Sequence, residues 1–345
     1  MLPRTGKTIG IDIGQRDIKL VQIRGGSRNP VVEGWALLEK EKGNYDAGRW
    51  RPDLAEDLRL AFQLNGIRGG KAAVSLPDSM VNIYYRKLPP MPEEELKNAV
   101  VWEIRKDLTF PVDDVVIDHI NLGEVSEGSD IMNAYLIAVT RKRPLEDLCR
   151  YLTDVGMKIN CLEFSTMAQV TCLKVMGEMS GTVALVDIGA TQTNLVVLKD
   201  GKIRFFRVIP SGGDVITETI SHSTGLSWWE AEKVKSVGIG PEKGGDEQVV
   251  RALHQSIESI VDEVYQTFHF YTAERREGGV DRLVISGGGG MMKGIDKFFQ
   301  DILGMPTQVM DPFAGIQVSG KLRDGELLVS WGCRIATALG LALEE

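Results

Sequence analysis

Two short stretches of this 345-residue chain carry residue types suited to gripping a phosphate chain. In GKTIGIDIGQRDIKLVQI (6–23) an apolar strand ends in Asp12-Ile13-Gly14 and a second strand follows; TVALVDIGATQTNLVVL (182–198) repeats this around Asp187-Ile188-Gly189, nearly half the chain later. A glycine has no Cβ, so backbone N–H groups beside it can close on an anion. A carboxylate at the strand end can hold a hydrated divalent cation next to that anion. This makes Asp12, Gly14 and Gln15 candidates in the first turn and Asp187, Gly189, Thr191 and Thr193 in the second, with Asp12 and Asp187 as ligands of magnesium through water. Lys19, on the strand after the first turn, can reach back as a point charge. A single such turn reads as a plain hairpin. Two at half-chain spacing, both between apolar strands, favour a clamp closing on phosphates from two sides.

Further glycines extend the pattern. DRLVISGGGGMMKGIDKFF (281–299) reads as a buried strand, then Gly287, Gly288, Gly289 and Gly290, then a helix. Such a loop lets backbone pass close to a flat group such as a purine, and a helix start favours negative charge. It does not fit the dinucleotide fingerprint, because Met292 or Lys293 falls where the third glycine belongs. No Walker A loop is present; NGIRGGKA (65–72) has Asn and Ala at its defining ends. Gly212 and Gly213 form a turn before a helix, and Ser227 with Glu230 reads as a capping box opening another. Trp228 and Trp229 at that helix start read as packing or interface residues.

These turns must be held by strands, and the chain supplies them twice. After Asp12 come a strand, a Gly25-Gly26 turn and VVEGWALL; after Asp187 come a strand, an Asp200-Gly201 turn and KIRFFRVI. Between the copies, VNIYYRKL alternates as a strand and Pro89, Pro90 and Pro92 end it. EEELKNAVVWEIRKDL follows with Leu96, Val100, Ile104 and Leu108 at steps of four. IDHINLGEV and NAYLIAVT read as strands, EVSEGSD (124–130) as an acidic hairpin loop and RPLEDLCRYLTDV as a helix. SIESIVDEVYQTFHFYTAERR reads as one long helix.

The composition is that of a soluble protein, with 43% hydrophobic residues and a net charge of -8. The length exceeds what one core usually supports, and the acidic balance argues against a nucleic-acid binder. Cys149, Cys161, Cys172 and Cys333 form no Cys-x-x-Cys pair and the histidines lie apart, so neither a zinc site nor a disulfide framework is expected. The N-terminal residues lack the apolar core of a signal peptide. Arg334 interrupts the longest apolar run, so no membrane span is expected. The expected location is cytoplasmic.

The set of a strand-Asp-x-Gly turn, a second at half-chain distance and a late glycine loop resembles the actin/Hsp70/hexokinase ATPase fold. It implies an α/β chain of duplicated RNase H-like halves closing on Mg-ATP. Asp12, Gly14, Gln15 and Lys19 match its first phosphate motif, Asp187, Gly189, Thr191 and Thr193 its second, and Gly287 to Gly290 its adenosine motif. Glu230 and Lys233 have the i, i+3 spacing of its ribose or base contacts, and Glu163 stands where the superfamily often places a water-orienting Glu or Gln. More closely, and over nearly the whole chain, the sequence resembles the PilM family of type IV pilus assembly. The most specific part is AAVSLPDSMVNIYYRKLPPMPEEELKNAVVWEIRKDLTFPVDDV, with GLSWWEAEKVK in support.

That resemblance implies an ATP-binding scaffold at the inner face of the inner membrane. Its partner would be the cytoplasmic N-terminal tail of a PilN-like protein, sought first along 80–90. Hydrolysis would be slow or absent; self-association and further platform partners stay open. A sugar-kinase reading lacks an acceptor base with adjoining sugar contacts. The FtsA family, a third reading, ends in a membrane-targeting helix, whereas WGCRIATALGLALEE reads as a closing helix of the fold. The implied layout is a first half (1A) of 1–78, 156–180 and 326–345, an FtsA-type 1C insertion at 79–155, a second half (2A) of 181–212 and 280–325, and a helical lobe (2B) at 213–279.

Overall fold

The computed structural model describes residues 7–27, 29–40, 43–67, 69–238, 247–276 and 278–344. Residues 1–6, 28, 41–42, 68, 239–246, 277 and 345, which fall within stretches discussed above, lie outside the described residues. β1 (Lys7–Ile13), β2 (Asp17–Arg24) and β3 (Val31–Glu39) form an antiparallel meander. A short ribbon, β4 (Tyr45–Asp46) and β5 (Arg49–Trp50), leads to α1 (Leu54–Leu64), and β6 (Lys71–Leu76) returns parallel to β1. The chain then leaves through β7 (Val81–Leu88), α2 (Glu93–Ile104), β8 (Val115–Glu127), β9 (Asp130–Arg141) and α3 (Lys142–Asp154). It comes back as β10 (Lys158–Phe164), parallel to β6, and α4 (Ser165–Val175).

The second copy repeats the plan. β11 (Thr182–Ile188), β12 (Thr193–Lys199) and β13 (Lys202–Ile209) form the meander, followed by α5 (Gly213–Thr224), α6 (Trp228–Val237) and the 29-residue α7 (Glu247–Arg275). β14 (Arg282–Ser286), α8 (Ile295–Leu303) and β15 (Thr307–Val309) complete the second sheet. β16 (Gln317–Val318), α9 (Gly325–Ser330) and α10 (Ala336–Leu343) return to the first half. Starting from the third strand, the orders are β3-β2-β1-β6-β10 and β13-β12-β11-β14-β15, the same topology twice. The paired registers match too: Asp12 faces Lys19 and Ser75, and Asp187 faces Asn194 and Ser286.

The first strand of each sheet is a near-continuous apolar run because both faces of the sheet are covered. Over the first sheet, α10 lies so close that a Cβ on Gly10 would stand 1.9 Å from the Ala338 carbonyl oxygen, and one on Gly340 would stand 1.9 Å from that of Ala168 in α4. The small residues of ATALGLAL allow this approach. A shared core joins Val21 and Ile23 of the first sheet, Val183 and Leu185 of the second, and Ala338 and Leu339 of α10. On α7 the buried residues Leu253, Ile257, Ile260, Val264, Phe268 and Tyr271 form a stripe at helical spacing.

The three-stranded sheet β7-β9-β8 carries α2 on one face, packed through Leu96, Val100 and Ile104. Leu148 and Leu152 of α3 join the core of α1 and β1. The acidic stretch 124–130 is strand for most of its length; Glu127 pairs with Asp130, leaving Gly128-Ser129 as the turn. Residues 124 to 127 each pair across the ladder, which outweighs the turn signal of their polar side chains. This module also touches the second half. Tyr85 donates to Glu274 at 2.9 Å, Lys87 pairs with Glu274 at 2.7 Å, and Arg275 donates to the Glu124 carbonyl at 3.2 Å. No helix among the described residues is long and apolar enough to cross a membrane.

Candidate functional site

The first Asp-Ile-Gly turn is a buried charge network. Lys19 donates to Asp12 at 2.8 Å and to Asp17 at 2.5 Å, and Ser75 donates to the other Asp12 oxygen at 2.6 Å. Arg334, from the segment before α10, holds Asp17 at 2.8 Å and Glu39 at 2.8 Å. Burial works against the charge of Lys19, but Asp12 and then Asp17 outweigh it and raise its pKa above the ordinary lysine value. Burial alone would raise Asp17; Lys19 and Arg334 hold its carboxyl below the usual range instead. Asn44, fully buried, donates to the carbonyls of Gly14 at 2.7 Å and Asp17 at 3.1 Å, bracing the turn from the connection after β3. Gln15 turns toward that connection, donating to the Tyr45 carbonyl at 3.0 Å.

The second turn is braced by the start of α5. The N–H groups of Gly213 and Asp214 donate to the carbonyls of Gly189 (2.8 Å) and Ala190 (2.7 Å). A Cβ on Gly212 would lie 2.7 Å from three backbone atoms of this turn, which is why glycine stands there. Thr193 is fully buried and donates to the Ser211 carbonyl at 2.7 Å, so its hydroxyl proton is committed; Thr191 is exposed at the tip. The glycine loop runs behind the turn. Gly287 has φ +81°, and a Cβ there would sit 2.4 Å from an Asp187 oxygen; one on Gly289 would sit 2.3 Å from the Ile188 side chain. A Cβ on Gly288 meets nothing within 4 Å, whereas one on Gly290 would meet the Cys333 sulfur at 2.8 Å.

The two turns are linked through Arg16, which follows the first and pairs with Asp214, the residue whose N–H closes on the second. The charge of Asp12 is felt by Asp187, whose pKa rises to about 6, chiefly through burial. A third carboxylate stands with them. Asp78, just past β6, accepts from Ser165 at the start of α4 (3.1 Å) and from Asn194 on β12 (3.3 Å). Burial first, then Asp187, pushes Asp78 up to about 7. At the mouth, Arg16 crosses from the first turn to Asp214, with Nη2 at 2.8 Å, and lies 4.9 Å from the centre of the Trp228 ring. Mutually repelling carboxylates beside glycine turns that a Cβ would fill form a setting suited to a divalent cation with a phosphate chain.

The family model for type IV pilus assembly protein PilM matches residues 10–345. The chain belongs to the PilM family. Among solved structures, a PilM-PilN type IV pilus biogenesis complex matches with a TM-score of 0.82 and 24% identity over 98% of this chain and 99% of that one. MreB5 of Spiroplasma citri bound to ADP matches at 0.53 and 13% identity, over 98% and 95% of the two chains. The cell division protein FtsA of Bacillus subtilis is 28% identical over 96% of this chain and 84% of its own. The fold of this PilM-family chain is thus the actin-like ATPase fold, with relatives in the FtsA branch.

Two sequence assignments for this PilM-family chain sit differently in the structure. Glu230 is spent on the capping box, where it bonds the Ser227 backbone and hydroxyl, and Lys233 is exposed. Their inward counterparts are Glu232 and Lys235. Lys235 donates to the Gly213 carbonyl at 3.1 Å, to Thr217 at 2.9 Å and to Glu232 at 2.6 Å, beside the second turn.

Glu163 does not join the carboxylates of the turns. Burial and the nearby Glu344 carboxylate, opposed by Lys174, raise its pKa to about 9. Its native carboxyl therefore keeps a proton that the unfolded chain releases near 4.5. The stability this provides is complete below the unfolded value and is lost as pH rises toward the folded one. Glu163→Gln keeps a neutral hydrogen-bonding side chain and removes that loss. In urea unfolding at pH 5 and pH 8, the variant is expected to gain on the wild type at pH 8 by at least about 1.4 kcal/mol, the worth of one pKa unit.

Proposed function

We propose that this chain is a nucleotide-binding scaffold of the type IV pilus inner-membrane platform. It takes Mg-ATP between its two Asp-Ile-Gly turns and receives the cytoplasmic N-terminal tail of a PilN-like membrane protein. The observation that carries the nucleotide reading is the bridging of the turns: Arg16, just after the first, pairs with Asp214, whose N–H braces the second, while the glycine loop packs behind Asp187 and Ile188. Asp12 and Asp187 would hold magnesium through water, and Thr191 and the backbone at Gly14 and Gly189 would meet the phosphates, with Lys19 fixing Asp12 beside them. The open side of Gly288 would face the nucleoside, with Glu232 and Lys235 toward its ribose. A bound metal-nucleotide supplies positive charge among the carboxylates and a ligand shared by both halves, favouring the closed cleft.

The partner reading is supported by the relative solved as a PilM-PilN complex. Such a tail would tether the chain at the inner face of the membrane. β7 and the proline-rich exit at 88–92 are the first place to test.

Calorimetric titration with Mg-ATP, and then with a synthetic PilN tail peptide from the same genome, tests both parts. Saturable binding of each is expected, with the peptide weakened by changes at 80–90 and a scrambled peptide inert. Nucleotide binding without peptide binding would remove the scaffold role. Failure of Mg-ATP itself to bind would remove the clamp.

A further inference from the structure

We infer that Asp78 is the residue of this chain that positions water at the phosphate end of the cleft, in the role its sequence suggested for Glu163. The inference rests on the nucleotide reading above and deepens it. Asp78 lies where β6 leaves the first sheet for β7. Its oxygens are aimed by donors from both halves: Ser165, at the start of α4, bonds one at 3.1 Å, and Asn194, on the second meander, bonds the other at 3.3 Å. The second oxygen also borders the second turn, 3.7 Å from where a Cβ on Gly189 would be.

Glu163, by contrast, has a buried Oε2 with no hydrogen-bond partner among the described residues, and burial with the nearby Glu344 charge holds its carboxyl well above the ordinary range. Lys19 is shared between Asp12 and Asp17, and Ser75 donates to Asp12. Asp78 is thus a carboxylate beside the second turn, oriented by neutral donors rather than neutralised by a cation. A carboxylate so held accepts a hydrogen bond from water on its remaining lone pairs.

The step it serves is hydrolysis. The water oxygen bonds the terminal phosphorus, and the bond from that phosphorus to its bridging oxygen breaks. The bridging oxygen keeps the electron pair on ADP, and the water's proton passes to Asp78 and then to solvent. Both halves share in the arrangement, because Ser165 of the first and Asn194 of the second each bond Asp78.

The experiment compares wild type, Asp78→Asn, Asp78→Glu and Glu163→Gln. It measures the affinity for Mg-AMPPNP, which is not hydrolysed, and single-turnover phosphate release from Mg-ATP. Asp78→Asn is expected to bind the analogue within about threefold of wild type and to release phosphate about 100-fold more slowly, the scale of a lost acid–base group. Asp78→Glu is expected to recover part of that rate, and Glu163→Gln to stay within about twofold of wild type. A merely structural Asp78 would shift analogue affinity along with the rate. Unchanged release in Asp78→Asn, or no release in the wild type despite analogue binding, overturns the role of Asp78 and leaves nucleotide binding standing. No analogue binding in the wild type overturns the nucleotide reading and this role with it.

Discussion

Replacing Lys19 by methionine is expected to destabilise the protein by about 3–5 kcal/mol, the range for removing one partner of a buried ion pair. The ammonium is the shared partner of Asp12 and Asp17, and all three side chains are nearly sealed from water. Without it, Asp17 keeps Arg334 while Asp12 keeps only the Ser75 hydroxyl. Urea unfolding at pH 7 measures the loss. Adding Asp12→Asn to the variant is expected to recover part of it, because the stranded charge is then gone. A Lys19→Met variant as stable as the wild type would show that the network carries no net stability. The pH dependence has a definite sign. Asp17 has a lowered folded pKa, so its contribution is present above the unfolded value of 3.8 and is lost only as pH falls through the lower folded value.

Gly10→Ala is expected to cost more than about 4 kcal/mol, beyond the range of ordinary substitutions. Its Cβ would fall 1.9 Å from the Ala338 carbonyl oxygen and 2.6 Å from the Ala342 nitrogen, both backbone atoms of α10. No rotamer relieves such a clash, so α10 must lift from β1, and with it the core it shares with both sheets. Gly288→Ala is the matched control: a Cβ there meets nothing within 4 Å and its φ is not in the left-handed region, so a change within about 0.5 kcal/mol is expected. Thermal unfolding of both variants separates the cases. A Gly10→Ala protein melting with the wild type would mean that the strand and helix can part cheaply.

Much of the frame was legible because its signals are local. An apolar strand, an Asp-Ile-Gly turn and a second strand announce themselves within a few residues, and repetition at half-chain distance turned a common turn into a duplicated sheet. What stayed hidden was the choice among equivalent local patterns. Glu230 with Lys233 and Glu232 with Lys235 both satisfy an i, i+3 spacing, yet a two-residue shift on a helix moves the pair to nearly the opposite face. The capping box engages Glu230, whereas Glu232 and Lys235 lie against α5. Glu163 was drawn away by a residue 181 positions later, Glu344, which no local pattern could reveal. Asp78 drew no role in SLPDSM because the donors that aim its carboxylate, Asn194 and Ser165, are both distant in sequence. Asn44 likewise reads as loop chemistry until its buried amide is seen under the first turn.

The seating of α10 against β1 sets an order of assembly. The second sheet has all its strands once Val309 has been made, and the helices α5 to α8 precede that point. The first sheet receives its edge partner β16 only at Gln317, and its covering helix only at Ala336. On a ribosome, where domains fold as they emerge, the later-made half can therefore consolidate first. The earlier-made half waits with the apolar face of β1 and β2 uncovered until α10 has been made. A chain arrested before residue 336 would expose that face, and the cell's chaperones would meet it there.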